Sequence, residues 1–148
     1  MNKVIINDCY GGFGYSPLAI AEIYKRKHPD TGEIFFYKEK DFDWKTCTYS
    51  LEKCKNPEDS DYAVIKDLGD NCNETIASEN NPILLEDIWE RHDPDCIAIV
   101  EELGDKANGK YAKLQVVEIP DDKYIIHEYD GWEWLETPSS PKEWIEIK

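Results

Sequence analysis

The sequence predicts an α+β fold: an antiparallel β-sheet, made of a C-terminal meander and an N-terminal strand, with two main helices packed on one face. Three observations predict it. Ser16-Pro17 and Asp93-Pro94 each set a favoured N-cap before a proline suited to the first helical position. The last third of the chain holds β-rich runs separated by Pro120-Asp121-Asp122 and by Asp130-Gly131, both turn signals. Near the start, residues 3–7 (KVIIN) form a short β-branched run stopped by Asn-Asp. Strands joined by turns this short pair antiparallel, and helices then cover a face of the sheet.

Taken in order, residues 3–7 read as a buried strand. A loop with three glycines follows, Cys9-Tyr10-Gly11-Gly12-Phe13-Gly14-Tyr15. The first helix starts at Ser16-Pro17, runs through Leu18, Ile20, Ala21, Ile23 and Tyr24, and ends at His28-Pro29. Lys25, Arg26 and Lys27 in its last turn complement the helix dipole. Residues 33–38 (EIFFYK) read as a second strand. From 39 to 81 the periodicity dissolves among Asp, Asn and Lys, and the stretch reads as a partly looped elaboration with a short element at 61–68. Residues 83–90 suit a helical turn or two. The second main helix spans Pro94–Leu103, with Ile97, Val100 and Leu103 at helical spacing and Gly104 as its terminator. Residues 112–119 and 123–129 and Trp132–Glu136 are the strands of the meander, and 143–147 suits a short edge strand. The 148 residues read as a single domain.

Charge narrows the function classes. The chain has 32 acidic against 17 basic residues, a formal net charge of −15, and its only arginines are Arg26 and Arg91. Affinity for DNA and RNA comes largely from Lys and Arg neutralising phosphates, so direct nucleic-acid binding is not expected. Anionic membranes are disfavoured for the same reason, and no apolar run approaches the length of a membrane span. Two readings of the acid remain. One is solubility; the other is a surface for a basic partner, including a groove that normally holds nucleic acid. No secretory leader is visible, so a cytoplasmic location is expected. The odd count of five cysteines then points to free thiols.

Several residue groups are candidates for chemistry. Strand, glycine loop and helix N-terminus is a geometry that cradles phosphates. Here the spacing is Gly11-Gly12-x-Gly14, no Lys-Ser/Thr pair follows, and Asp8 repels an anion. The competing reading is a tight turn that needs glycine for conformational reasons. Tyr10, Phe13 and Tyr15 beside it suit a contact surface or a core. Cys9 lies near a helix N-terminus, where a thiolate is stabilised, with His92 or His127 as base and Asp8 or Asp130 to orient it; these residues follow no known catalytic signature. Cys47, Cys54 and Cys72 lack the paired spacing of a zinc site. Glu101-Glu102 and the acids of residues 127–130 read as a solvated face. Arg91 has two readings: pairing with Asp93 or Asp95, or anchoring an anionic ligand. Trp132 and Trp134 alternate on a strand and share a face, as a seal under the sheet or, with Trp144, as a contact patch. No cofactor is expected.

Four blocks carry a resemblance. The opening Val4-Ile5-Ile6-Asn7-Asp8-Cys9-Tyr10-Gly11-Gly12-Phe13-Gly14, then Val100-Glu101-Glu102-Leu103-Gly104, Val116-Val117-Glu118-Ile119-Pro120 and Glu128-Tyr129-Asp130-Gly131, resemble a family of small acidic proteins encoded by bacteriophages and prophages. The resemblance covers residues 1–28 and about 91–136; residues 39–81 depart from it and read as an insertion. It implies a context and no catalytic residues. In that context the leading expectation is a non-enzymatic protein that binds and inhibits a host bacterial protein with a basic surface, a defence or nucleic-acid-handling factor, in the host cytoplasm. The alternative is a protein that binds or sequesters a nucleotide or metabolite at the glycine loop and Arg91. The binding residues expected across the two readings are Asp8, Tyr10, Gly11, Gly12, Phe13, Gly14, Tyr15, Arg91, Trp132 and Trp134.

Overall fold

A computed structural model describes residues 1–70, 72–85 and 89–139. The first strand, β1 (Asn2–Asn7), explains its own composition. Val4, Ile5, Ile6 and Asn7 are all buried, because the strand is covered on both faces. It pairs antiparallel with β6 (Leu114–Ile119) from Asn2↔Ile119 to Asn7↔Leu114. Ile5, Leu114 and Val116 face one layer, while Val4, Ile6 and Ile119 face another.

The first layer is helical. In α1 (Pro17–Lys27) the Ser16 hydroxyl accepts from the Ala19 amide, and Ala19, Ile20, Ala21 and Ile23 are buried. In α4 (Pro94–Leu103) the Asp93 carboxylate accepts from the amides of Asp95 and Cys96, and Cys96, Ile97, Ile99 and Val100 are buried. Gly104 ends α4 with φ 59°, a left-handed conformation suited to glycine. Each isoleucine buried here contributes roughly 1.5–3 kcal/mol.

The two helices run antiparallel. The N-cap Ser16 bonds to Lys106 and Ala107, just beyond α4, and the basic end of α1 meets the start of α4. There the Lys27 ammonium lies 2.5 Å from Asp93 and 3.3 Å from Asp95, and Arg26 lies 3.3 Å from Asp95. The cations in the last turn of α1 therefore have acidic partners as well as a dipole. Burial pushes the Asp93 carboxyl up, but the Lys27 bond and the two capping amides outweigh it and hold the carboxyl below its ordinary value.

The second layer is a hairpin, β7 (Ile125–Tyr129) and β8 (Trp132–Glu136). Leu135 and Tyr124 pack on Val4, Ile6 and Ile119. The helices and the hairpin thus sandwich the β1–β6 ribbon.

Residues 35–77 form a further unit of secondary structure. Strands β2 (Phe35–Asp43), β3 (Thr48–Lys53), β4 (Tyr62–Val64) and β5 (Cys72–Asn73) make an antiparallel sheet in the order β4-β2-β3-β5. Helix α2 (Glu74–Glu79) completes a small core of Tyr37, Leu51, Val64, Cys72 and Ala77. Ile34, Phe36, Ala63 and Ile65 join the helical cluster instead and tie the sheet to α1 and α4. A short helix, α3 (Pro82–Leu85), follows.

The α+β class and the antiparallel pairing are as the sequence predicts, and both main helices begin where it places them. Two details differ. The strands divide among three sheets, because β6 pairs with β1 while β7 and β8 pair only with each other. The stretch 39–81 supplies most of a four-stranded sheet, and its proposed start falls inside β2. Its periodicity fails because the sheet buries few side chains on one face and carries a register shift between Glu39 and Phe42. The proposed edge strand at 143–147, with Trp144, and residues 86–88 of the 83–90 turn lie outside the described residues.

Candidate functional site

The loop after β1 runs beside β8, and their junction is built on Asn7. Its side chain is fully buried, its amide N–H groups donate to the carbonyls of Cys9 (3.0 Å) and Gly131 (2.7 Å), and its carbonyl accepts from the Lys113 amide (2.8 Å). One side chain therefore joins the glycine loop, the β7–β8 turn and the approach to β6.

The glycines serve the same closure. A Cβ on Gly11 would overlap the Tyr111 carbonyl, and one on Gly131 (φ 89°) would overlap the Gly12 amide. The Gly109 amide donates to Gly14 at 2.8 Å. The space beside Gly11 is filled by the chain's own backbone, while Gly12 needs glycine for its φ of 93°. This is the conformational reading of the glycines, not the phosphate cradle.

Arg91 is also engaged internally. Its guanidinium makes a two-pronged pair with Glu133 at 2.6 and 2.9 Å and donates to the Ile5 carbonyl at 3.3 Å. It stacks on the Phe13 ring, 3.4 Å from the centroid. Glu133, only 7% exposed, also accepts from the Asn7 amide at 2.7 Å. The pair is a clasp between β1, β8, the glycine loop and the approach to α4. The expected partners of Arg91, Asp93 and Asp95, are taken by Lys27, which α1 delivers to the same helix start.

The aromatic candidates separate by face. Tyr15 is buried, edge-on to Phe13 and Trp89, and Phe13 is half-buried beneath Arg91. Neither belongs to an exposed contact surface. Tyr10 does, at 64% exposed. Trp132 (41%) and Trp134 (47%) point outward and do not seal the sheet. The inward side of β8 is supplied by Glu133 and Leu135, so alternation turns both tryptophans to solvent.

The outer face of the hairpin is consequently aromatic. Cross-strand pairs set Tyr129 beside Trp132, His127 beside Trp134 and Ile125 beside Glu136. Tyr10 packs edge-on to Trp132 at 5.4 Å, and the Trp132 indole N–H donates to Asp8 at 3.0 Å. The His127 ring stacks on Trp134 at 5.6 Å, and its Nε2 lies 3.2 Å from Glu136. Of the expected binding residues, the fold brings Asp8, Tyr10, Trp132 and Trp134 onto one face. It turns Phe13, Tyr15 and Arg91 inward, and Gly11, Gly12 and Gly14 make backbone contacts around the turn.

Asn7, Glu133, Tyr129 and Ile125 were not singled out in the sequence. Glu133 left a signal: a charge opposite two outward tryptophans points inward and needs a cation, and Arg91 is one of only two arginines. Cys9 hydrogen-bonds to the Tyr111 carbonyl (3.3 Å) and to Asn7 (3.5 Å), while His92 engages Tyr124 and Glu90. No imidazole contacts the thiol in the way a nucleophile–base pair requires. Among the described residues, no group of three or more His, Cys, Asp or Glu side chains is placed to hold a metal ion. No helix among them is long and apolar enough to cross a membrane.

Comparison with known proteins gives no matching family model, no matching curated protein and no matching solved structure. The candidate site therefore rests on its own geometry.

Proposed function

We propose that this chain is a non-enzymatic bacteriophage protein that binds and inhibits a host bacterial protein with a basic surface, a defence or nucleic-acid-handling factor. One observation carries the binding part of the reading. A continuous aromatic face, Tyr10, Trp132, Tyr129 and Trp134, is open on a chain of net charge −15. Exposed aromatic clusters mark contact sites, and tryptophan and tyrosine are enriched where interface energy concentrates. The surrounding acid steers a basic partner and repels nucleic acid. The phage context comes from the sequence resemblance alone.

Sequestration of a small molecule at the glycine loop has less support. Backbone fills the space beside Gly11, Gly109 and Gly131, and Glu133 occupies Arg91.

The test is affinity capture from nuclease-treated bacterial lysate at low and high salt, followed by an activity assay of the captured protein. A stoichiometric partner, released at high salt and inhibited by this chain, supports the reading. No partner at either salt removes it.

A further inference from the structure

The aromatic face also carries information about what it would hold. Trp132 and Trp134 lie two residues apart on one strand, which separates their side chains by about 6.8 Å. Alternate side chains of any extended peptide repeat at that same distance. Two carboxylates border the pair, and Asp130 stands in the adjoining turn. Asp8 holds the Trp132 indole, and Glu136 sits beside His127. The fold already uses the matching chemistry: Arg91 stacks on Phe13, and the ammonium groups of Lys53 and Lys110 lie 5.6 Å from the centroids of Phe35 and Tyr111. Trp is the strongest aromatic acceptor for such a cation.

Resting on the binding function proposed above, we propose that the outer face of β7–β8 binds an extended protein segment with arginine or lysine at alternate positions, one cation over each of Trp132 and Trp134. The bordering acids supply charge complementarity, and the side chains between the cations point to solvent. A stacked single-stranded nucleic acid would also suit an aromatic platform. It is disfavoured here because its phosphates would meet Asp8, Asp130 and Glu136.

The probes are three synthetic heptapeptides and a seven-nucleotide single-stranded DNA. The first peptide alternates arginine with serine. The second has the same composition with its arginines contiguous. The third replaces each arginine by neutral citrulline. Calorimetry gives affinity, and indole N–H resonances report which tryptophans respond. The alternating peptide is expected to bind, to shift Trp132 and Trp134 but not Trp44, and to weaken with added salt. Trp134→Ala should weaken it about two- to fivefold, the worth of one exposed cation–π contact, and Trp134→Phe should restore part of that. Trp134 is the cleaner position, since Trp132 also bonds to Asp8; circular dichroism checks that each variant folds. Equal binding of the contiguous peptide overturns the spacing. Binding of the citrulline peptide, or tighter binding of the DNA, overturns the cation. No peptide binding, or binding unchanged by Trp134→Ala, overturns the site. In each failure a host protein still captured and inhibited keeps the proposed function standing, whereas loss of both removes it too.

Discussion

The hairpins β2–β3 and β7–β8 have opposite relations to the rest of the chain. The β7–β8 hairpin is regular, with paired residues from Ile125↔Glu136 to Tyr129↔Trp132. Its turn is Asp130-Gly131, with φ of 51° and 89°, the conformation that matches strand twist in two-residue turns. It is fastened to the ribbon by Leu135 and by the Arg91–Glu133 clasp, and its other face stays open. The β2–β3 hairpin is irregular, and its loop ends in a left-handed Cys47, φ 55°. It is fastened by a small apolar core shared with β4, β5 and α2, and its exposed aromatic, Trp44, sits at the tip. One hairpin depends on a polar network to display a flat face. The other depends on burial and displays only its end.

The largest effect should come from breaking the clasp. Glu133→Ala leaves the Asn7 backbone amide without its acceptor and the part-buried Arg91 guanidinium with only the Ile5 carbonyl. Its expected cost is about 3 kcal/mol, the low end for a buried pair since Arg91 keeps some solvent contact. Urea denaturation measures it. A loss below about 1 kcal/mol would mean that Leu135 alone fastens the hairpin and that the contrast is wrong.

The two turns should respond with opposite sign. Gly131→Ala puts a Cβ against the Gly12 backbone at positive φ, and is expected to cost about 2 kcal/mol in the same measurement. Cys47→Gly relieves a left-handed residue at an exposed tip where nothing else depends on the side chain's volume. It should stabilise by about 0.5 kcal/mol. If both changes destabilise, the tip of β2–β3 is as constrained as the turn of β7–β8.

The smallest effect is the pH dependence that the Lys53–Asp67 pair adds to the β2–β5 sheet, beside those of Asp93 and Asp121 elsewhere. The Lys53 bond, helped by the Gly69 amide, lowers the Asp67 carboxyl below its ordinary value. That contribution is present above the unfolded carboxyl value, about 3.9, and is lost as pH falls through the lower folded one. Amide exchange in β2 and β3 should therefore quicken below about pH 4 relative to β7 and β8, by a small factor because the pair is exposed. Asp67→Asn should abolish the difference. Unchanged exchange in the wild type would mean that burial alone holds this sheet.

The same contrast explains what was legible. The β7–β8 hairpin announces itself because its turn uses glycine and its strand alternates between a core side and an open side. The β2–β3 hairpin is hidden because a cysteine fills the left-handed position and a register shift breaks the alternation. For the candidate site, alternation put Trp132 and Trp134 on one face but could not say which face was outward. That depended on Glu133 finding Arg91, 42 residues away in sequence.

Local chemistry in the sequence determined both main helices to their N-caps, the two-residue turn and the antiparallel habit. Caps, prolines and glycines act through neighbouring backbone, so their consequences are written beside them. Only the tertiary structure decided that β1 is covered on both faces, that the strands divide into three sheets, that the glycine loop closes on its own backbone and that the tryptophans face solvent. Each of those outcomes depends on which distant group satisfies a buried charge or apolar face, and such pairings leave no period in a single sequence.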